Sequence, residues 1–260
     1  MRGRWPVCAF ALAAAVIAPA HGADSELRAG VGADYSTGNY GQSTSTEILS
    51  IPFMARYETD RWTLKISAPY LRVTGPGNVI PGVGRHDNGK SPPRAAGTST
   101  ESGLGDTVGS ATYTAYYDDA TKRGLDLTGK LKLPTADADR GLGTGSTDES
   151  LQVDVYQTQG PFTVFADIGY TFFGHSDVVQ LENAPYYGLG FSQKLDAANS
   201  LGMSFDGRQR VTPGGAPRRE LTAFWNRRMD RAMRLQAYVL KGFADGSPDW
   251  GIGASLMRGF

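Results

Sequence analysis

The feature that most constrains the fold is a two-residue alternation of apolar and polar side chains across positions 124–174. Three segments carry it, at 125–133, 151–156 and 162–172. Because successive side chains of a strand point to opposite faces, each segment is predicted to be a strand with one apolar face and one polar face. A long loop rich in Gly, Asp and Thr separates the first two segments. The short turn Gln159-Gly160-Pro161 separates the last two.

The same alternation recurs along the chain in about twelve segments of roughly ten residues, the length that a tilted strand needs to cross a bilayer. The connections are long after odd-numbered strands and short after even-numbered ones. Outer-membrane barrels have this order, with short periplasmic turns and longer extracellular loops. A soluble sandwich would have no reason to keep it and would need to protect its edge strands. We therefore predict an all-β fold, a closed antiparallel up-and-down transmembrane β-barrel of about twelve strands in the bacterial outer membrane.

Aromatic residues concentrate near both sets of connections, which is the position that anchoring at the lipid headgroups predicts. In the fourth strand the alternation places Tyr117 outward, toward lipid, and Tyr116 inward. Long extracellular loops are predicted at 75–103 and 134–148. Loops of this length are usually functional or disordered.

The first 22 residues are predicted to be a separate unit. Arg2 and Arg4 precede an apolar run at 7–18, and small residues follow at 20–22. This is the pattern of a secretory signal peptide, and the run is shorter than the ~20 apolar residues of a membrane helix. The predicted domains are therefore a cleaved signal peptide at 1–22 and a single barrel at 23–260.

Cysteine content and net charge exclude several classes of function. The only cysteine, Cys8, falls in the predicted signal, so the mature chain has neither a disulfide framework nor thiolate catalysis. The 26 Lys and Arg residues balance 26 Asp and Glu residues. No net field therefore favours nucleic acid as a partner.

Charged residues on the polar faces of the strands are predicted to line the lumen. The candidates are Arg28, Asp34, Arg56, Lys65, Asp106, Asp126, Lys130, Lys132, Asp154, Asp167, Lys194, Asp206, Arg208, Arg210, Glu220 and Arg234. A barrel of about twelve strands lies in width between the filled eight-stranded barrels and the water-filled porins, so two arrangements of the lumen are possible. Either the mixed charges line a wet, weakly selective channel, or they pair across a narrow lumen and hold it nearly closed.

No constellation of catalytic or metal-binding residues stands out, so we predict no catalytic, cofactor-binding or metal site and no cofactor. His175-Ser176-Asp177 has residue types suited to acyl transfer, but adjacent residues cannot face one another as a triad must. His86 and His175 are the histidines beyond the signal region, too few for a transition-metal site without cysteine. A hydrolase whose catalytic residues meet across strands stays an alternative, as does a closed structural or adhesion barrel.

Short motifs between 103 and 174 carry a family resemblance. They are Gly103-Leu104-Gly105-Asp106, Lys130-Leu131-Lys132-Leu133-Pro134-Thr135, Asp137, Gly141-Leu142-Gly143-Thr144-Gly145-Ser146-Thr147-Asp148 and Asp167-Ile168-Gly169-Tyr170. In these motifs the chain resembles the outer-membrane family named after the meta-pathway of phenol degradation. Members of that family are described as transporters, some encoded with aromatic-degradation pathways. The resemblance implies a channel or transporter for small molecules, including hydrophobic or aromatic ones, and assigns no substrate-binding residue.

The C-terminus carries a second resemblance. Phe260, with apolar residues at alternate positions before it, resembles the signal that outer-membrane barrels present to their assembly machinery. The predicted partners are therefore outer-membrane lipid, this machinery and a small-molecule solute.

Overall fold

The computed structural model describes residues 25–86 and 98–260 and confirms the closed antiparallel barrel of 12 strands. The predicted signal peptide lies outside the described residues. The strands are β1 (Glu26–Gly38), β2 (Thr46–Glu58), β3 (Trp62–Gly75), β4 (Val79–Ile80), β5 (Gly84–Arg85), β6 (Ser99–Leu104), β7 (Thr107–Asp118), β8 (Arg123–Leu133), β9 (Asp148–Gln159), β10 (Phe162–Phe172), β11 (Ala184–Lys194), β12 (Asn199–Arg208), β13 (Arg218–Arg228), β14 (Met233–Gly242) and β15 (Trp250–Gly259).

Each wall strand pairs with its neighbours in sequence, and β1 pairs with both β2 and β15, which closes the ring. β6 and β7 together form the fourth wall position, since both pair with β3. β4 and β5 pair only with each other and form a small hairpin within the loop after β3. Within the described ranges, no helix is long and apolar enough to cross a membrane.

Two of the short turns at one end of the barrel share a capping arrangement. In the turn after β11, Asp196 Oδ1 accepts hydrogen bonds from the backbone N–H groups of Ala198 at 2.6 Å and Asn199 at 2.8 Å. Asp230 does the same after β13, with Ala232 and Met233. These backbone bonds stabilise the ionised form and hold the pKa of both carboxyls below the usual range.

The outer surface of the barrel is apolar, with Leu151 and Ile168 each 64% exposed near its middle. Aromatic pairs lie toward both ends. The ring centroids of Trp62 and Tyr113 lie 5.0 Å apart near the short turns, and those of Tyr35 and Trp250 lie 5.5 Å apart near the long loops. An apolar band between aromatic girdles is the surface that a bilayer requires of a barrel.

One side-chain prediction was wrong. The register of β7 against β8 shifts between Thr114 and Tyr116, which is a β-bulge. A bulge adds one residue to a strand and reverses the faces that follow. Tyr116 is therefore 56% exposed on the outside, whereas Tyr117 packs inside, 6.5 Å from Tyr156.

Aromatic rings inside the barrel lie against glycines of the neighbouring strand. A Cβ placed on Gly124 would lie 2.1 Å from Cζ of Tyr156, so the ring occupies the space that a side chain would need. The same relation holds for five pairs: Tyr156 with Gly124, Phe165 with Gly190, Tyr186 with Gly169, Phe224 with Gly202, and Tyr238 with Gly253. Close approach of this kind is a recognised role of glycine in strand interiors.

Gly124→Ala is expected to lower the free energy of unfolding by about 1–3 kcal/mol, because the methyl group overpacks the site and displaces the Tyr156 ring. Gly129→Ala is the matched control in the same strand, since a Cβ there would meet nothing within 4 Å. Urea unfolding in detergent micelles, followed by tryptophan fluorescence, measures both variants. Equal stability of the two would show that the ring does not depend on the glycine.

Candidate functional site: the lumen and its mouth

Like charges follow one another across neighbouring strands inside the barrel. In the first set, which we call the acidic row, the cross-strand register joins Asp126 to Asp154, Asp154 to Asp167, and then continues through Gly188 to Asp206 and Glu220. Like charges directly opposite each other destabilise a sheet. Their presence at consecutive positions favours a role other than stability.

A second set, the basic row, runs from β1 through β2, β3 and β7 to β8. The register joins Arg28 to Arg56 and Arg56 to Lys65, and Lys65 connects through Ser110 to Lys130. Lys130 interacts electrostatically with Asp154, Asp167 and Asp206 of the acidic row. The two rows therefore meet at β8 and β9 and place opposite charges on different sides of the lumen.

Gln152 links the two rows where they meet. Its Oε1 accepts a hydrogen bond from Lys130 Nζ at 2.5 Å and another from the Tyr186 hydroxyl at 3.1 Å. Its Nε2 donates to Asp154 Oδ1 at 2.5 Å, and Thr128 Oγ1 donates to the other carboxylate oxygen of Asp154. Lys130 Nζ also lies 5.3 Å from the centroid of the Tyr186 ring, within cation–π range. The amide thus holds the lysine and the carboxylate apart in a fixed geometry.

The end of the lumen beside the short turns holds a buried ion-pair cluster, which we call the periplasmic cluster after the predicted orientation. Arg28 Nη1 lies 3.0 Å from Glu58 Oε2, and Arg56 Nη2 lies 2.5 Å from Glu58 Oε1. Arg28 also pairs with Glu26. Arg234 is buried in the same region and interacts electrostatically with Glu26 and Glu58. One glutamate is therefore shared by two arginines at this end.

The mouth of the barrel beside the long loops is covered by the β4–β5 hairpin, which we call the plug hairpin (residues 79–85). Arg208, at the end of β12, donates to the carbonyl oxygens of Gly82 at 2.8 Å and Val83 at 3.0 Å. Ile80 and Val83 are buried in a hydrophobic cluster with residues of two other long loops, among them Val179 and Val211. Three loops therefore pack together across the opening.

The second long loop, between β8 and β9, is fixed to the wall by the motifs that carry the family resemblance. Lys132 Nζ lies 3.1 Å from Asp106 and 2.7 Å from Asp148, so one cation joins two motif carboxylates. Thr135 Oγ1 donates to the Gly105 carbonyl at 2.9 Å. Leu142 is 1% exposed and packs against wall residues of β2 and β3. The motifs thus hold the loop in place over the mouth.

A cavity of about 220 Å³ lies between these loops and the two charge rows. A smaller one, of about 80 Å³, lies on the other side of the lumen. Residues 81–83 of the plug hairpin line both cavities, so the hairpin divides the upper lumen.

Three predicted lumen residues lie apart from these clusters. Asp34 is buried beside the smaller cavity and accepts a hydrogen bond from the Tyr238 hydroxyl at 2.7 Å. Lys194 is exposed at the end of β11, beside a short turn. Arg210 is exposed in the loop after β12, 3.5 Å from Glu182. The structure brings the other thirteen candidates together in the two rows, the periplasmic cluster and the mouth.

Several lumen residues that the structure places beside those clusters were not among the predicted candidates. They are Gln152, Tyr156, Phe165, Tyr186, Arg218 and Phe224. Strand alternation contained the signal for all of them, because each shares a face with a predicted charged residue. Five of them are uncharged and were not selected because only charged side chains were taken as candidates, and Arg218 was overlooked.

The His175-Ser176-Asp177 segment does not form a catalytic arrangement. His175 and Asp177 are 84% and 95% exposed and lie 3.4 Å apart. Ser176 Oγ instead donates to the Thr144 carbonyl and accepts from the N–H groups of Val178 and Val179. Across residues 25–86 and 98–260, no group of three or more His, Cys, Asp or Glu side chains is arranged to hold a metal ion.

Comparisons with solved structures show the fold of bacterial outer-membrane barrels. The COG4313 outer membrane channel from Pseudomonas putida F1 aligns with a TM-score of 0.67 and 16% identity, over 94% of this chain and 98% of that one. The KdgM porin aligns with a TM-score of 0.53 and 7% identity, over 90% and 99%. The beta domain of the Bordetella autotransporter BrkA aligns with a TM-score of 0.53 and 13% identity, over 91% of this chain and 99% of that one. Neither the models of protein families nor the curated proteins gave a match to the sequence.

The double variant Asp154→Asn, Asp167→Asn is expected to shift the chloride-to-potassium permeability ratio upward about fourfold. A unit charge about 10 Å from a permeating ion contributes roughly 0.4 kcal/mol in water, or about twofold per charge. The reversal potential across a planar bilayer in a KCl gradient measures the ratio. Asp60→Asn, in an exposed turn, is the control. An unchanged reversal potential in the double variant would mean that ions do not pass the acidic row.

Proposed function

We propose that this protein is an outer-membrane channel that admits small molecules with a hydrophobic or aromatic part. The observation that most supports this proposal is the cavity of about 220 Å³ within the barrel, between the plug hairpin and the charge rows. Ligand sites are typically concave and apolar with a few fixed polar groups, and this cavity has that composition.

Two further features support the proposal. The outer face carries the apolar band of a lipid-embedded barrel, which supports the outer membrane as its location. The lumen also contains a layer of aromatic side chains, Tyr156, Phe165 and Phe224, with Tyr117 and Tyr238 packed against it. An aromatic layer on the path of a solute suits a hydrophobic or aromatic compound, which is what the resemblance to the phenol meta-pathway family implies.

In the same proposal, residues 1–22 direct secretion and Phe260 directs assembly.

Purified protein in planar bilayers and in liposomes tests the proposal. We expect small, discrete single-channel steps, and faster entry of toluene or phenol into liposomes that contain the protein than into protein-free liposomes. In cells, deletion is expected to slow growth at limiting aromatic concentrations. Absence of conductance together with unchanged uptake would reject a channel and favour a closed structural barrel.

A further inference from the structure

The cavity between the plug hairpin and the charge rows has an unequal supply of hydrogen-bond donors and acceptors. Its charged lining consists of Lys130, Lys132, Arg208 and Arg218 against Asp106 and Asp148. Both carboxylates are already bound by Lys132 Nζ, at 3.1 and 2.7 Å. Of the remaining lining cations, Arg218 lies 3.7 Å from Glu220, whereas among the described residues Lys130 and Arg208 form no ion pair with a carboxylate of the lining.

Arg208 shows the imbalance most directly. Its two Nη atoms donate to the carbonyl oxygens of Gly82 and Val83. Its Nε is buried and has no hydrogen-bond partner among the described residues. A buried charged donor left unsatisfied is costly. A ligand that brings an acceptor oxygen would remove this cost.

The rest of the lining is apolar and has room for a ring. Leu71, Val83, Leu142 and Phe173 contribute hydrocarbon surface, and the Tyr186 ring lies beside Lys130. The volume of about 220 Å³ exceeds the roughly 150 Å³ of an engineered protein cavity that binds benzene. A single aromatic ring with one small substituent therefore fits.

We infer that this cavity is a binding site for a small aromatic monocarboxylate, whose carboxylate meets Lys130 and Arg208 while its ring packs on the apolar lining. The acidic row lies behind Lys130, and its carboxylates Asp154, Asp167 and Asp206 interact with that lysine. A second negative charge on the ligand would meet this row, so the site discriminates against dicarboxylates. The inference rests on the proposed channel function and assigns its substrate class.

Calorimetric titration of the purified full-length protein in detergent micelles tests the inference, with protein-free micelles subtracted. Sodium benzoate is the probe, benzamide supplies the same ring without charge, acetate the charge without a ring, and phthalate a second carboxylate. We expect benzoate to bind at least tenfold more tightly than the other three, because a hydrogen bond to a charged group is worth about a factor of ten or more. Benzamide binding as tightly as benzoate, or no benzoate binding, would overturn the inference without any variant.

A pair of lysine variants locates the site. Lys130→Met is expected to raise the Kd of benzoate about tenfold and leave that of benzamide unchanged. Lys241→Met is the matched control, since Lys241 is exposed on the outer side of β14. An unchanged benzoate Kd in a Lys130→Met protein that still migrates as a folded barrel on unheated gels would place binding elsewhere.

Micelle binding does not depend on permeation. Benzoate binding without liposome permeation would reject only the channel, and permeation without benzoate binding would reject only the site.

Discussion

Replacement of the plug hairpin, residues 79–85, by a Gly-Ser segment of equal length is expected to raise the single-channel conductance several-fold. The hairpin lines the cavities of about 220 and 80 Å³ on its two sides. Its removal therefore joins these spaces into one opening. The barrel wall should remain intact, because β4 and β5 pair with each other and not with any wall strand. Planar-bilayer recordings in 1 M KCl give the conductance.

A point variant tests the contact between the plug hairpin and the barrel wall with less change to the loop. Arg208→Gln removes the guanidinium that binds the carbonyl oxygens of Gly82 and Val83, so openings to the larger conductance should become frequent. Arg227→Gln, on the outer side of β13, is expected to behave as the unaltered protein. Equal conductance in the hairpin replacement and the unaltered protein would show that the constriction lies deeper, at the aromatic layer or the periplasmic cluster.

The sequence was sufficient for the wall of the barrel because lipid imposes a simple rule on it. Outward residues at the depth of the lipid hydrocarbon must be apolar, and each strand must pair on both sides. The alternation at positions such as Leu151, Val153 and Val155 therefore reports its orientation directly, and the structure leaves these side chains exposed on the outside. The exception was β7, where a single inserted residue exchanged the faces of Tyr116 and Tyr117.

The interior was harder to predict because alternation gives the face of a residue but not its partners. Lys132 was identified as a lumen residue, yet its contacts with Asp106 and Asp148 join residues from three separate segments of the chain. The rows of like charge likewise depend on cross-strand register. The inward fold of the plug hairpin depends on packing between loops, which no periodicity encodes. The sequence presented both the wet and the paired arrangement as open. In the structure, paired charges hold the two ends, and rows of like charge run between them.

Glu58→Gln is expected to lower the free energy of unfolding by about 3 kcal/mol, the largest single-residue effect predicted for the lumen. Glu58 is 4% exposed and shares its two carboxylate oxygens between Arg28, 2% exposed, and Arg56, 6% exposed. The amide keeps the shape but removes the negative charge that both guanidinium groups contact. Loss of one partner from a buried ion pair costs more than the pair contributes, because the remaining charge stays in a poorly hydrated position.

Urea unfolding in micelles measures the effect, with Glu47→Gln in the same strand as the control, since Glu47 is exposed and should change stability by less than about 0.5 kcal/mol. The double variant Arg56→Gln, Glu58→Gln separates charge from packing. Removal of the second arginine lowers the excess positive charge, so the double variant should be more stable than Glu58→Gln alone. A double variant whose loss equals the sum of the two single losses would mean that Arg56 and Glu58 do not interact energetically. In that case the rigidity of the periplasmic end would have to come from Arg28 and its pairing with Glu26.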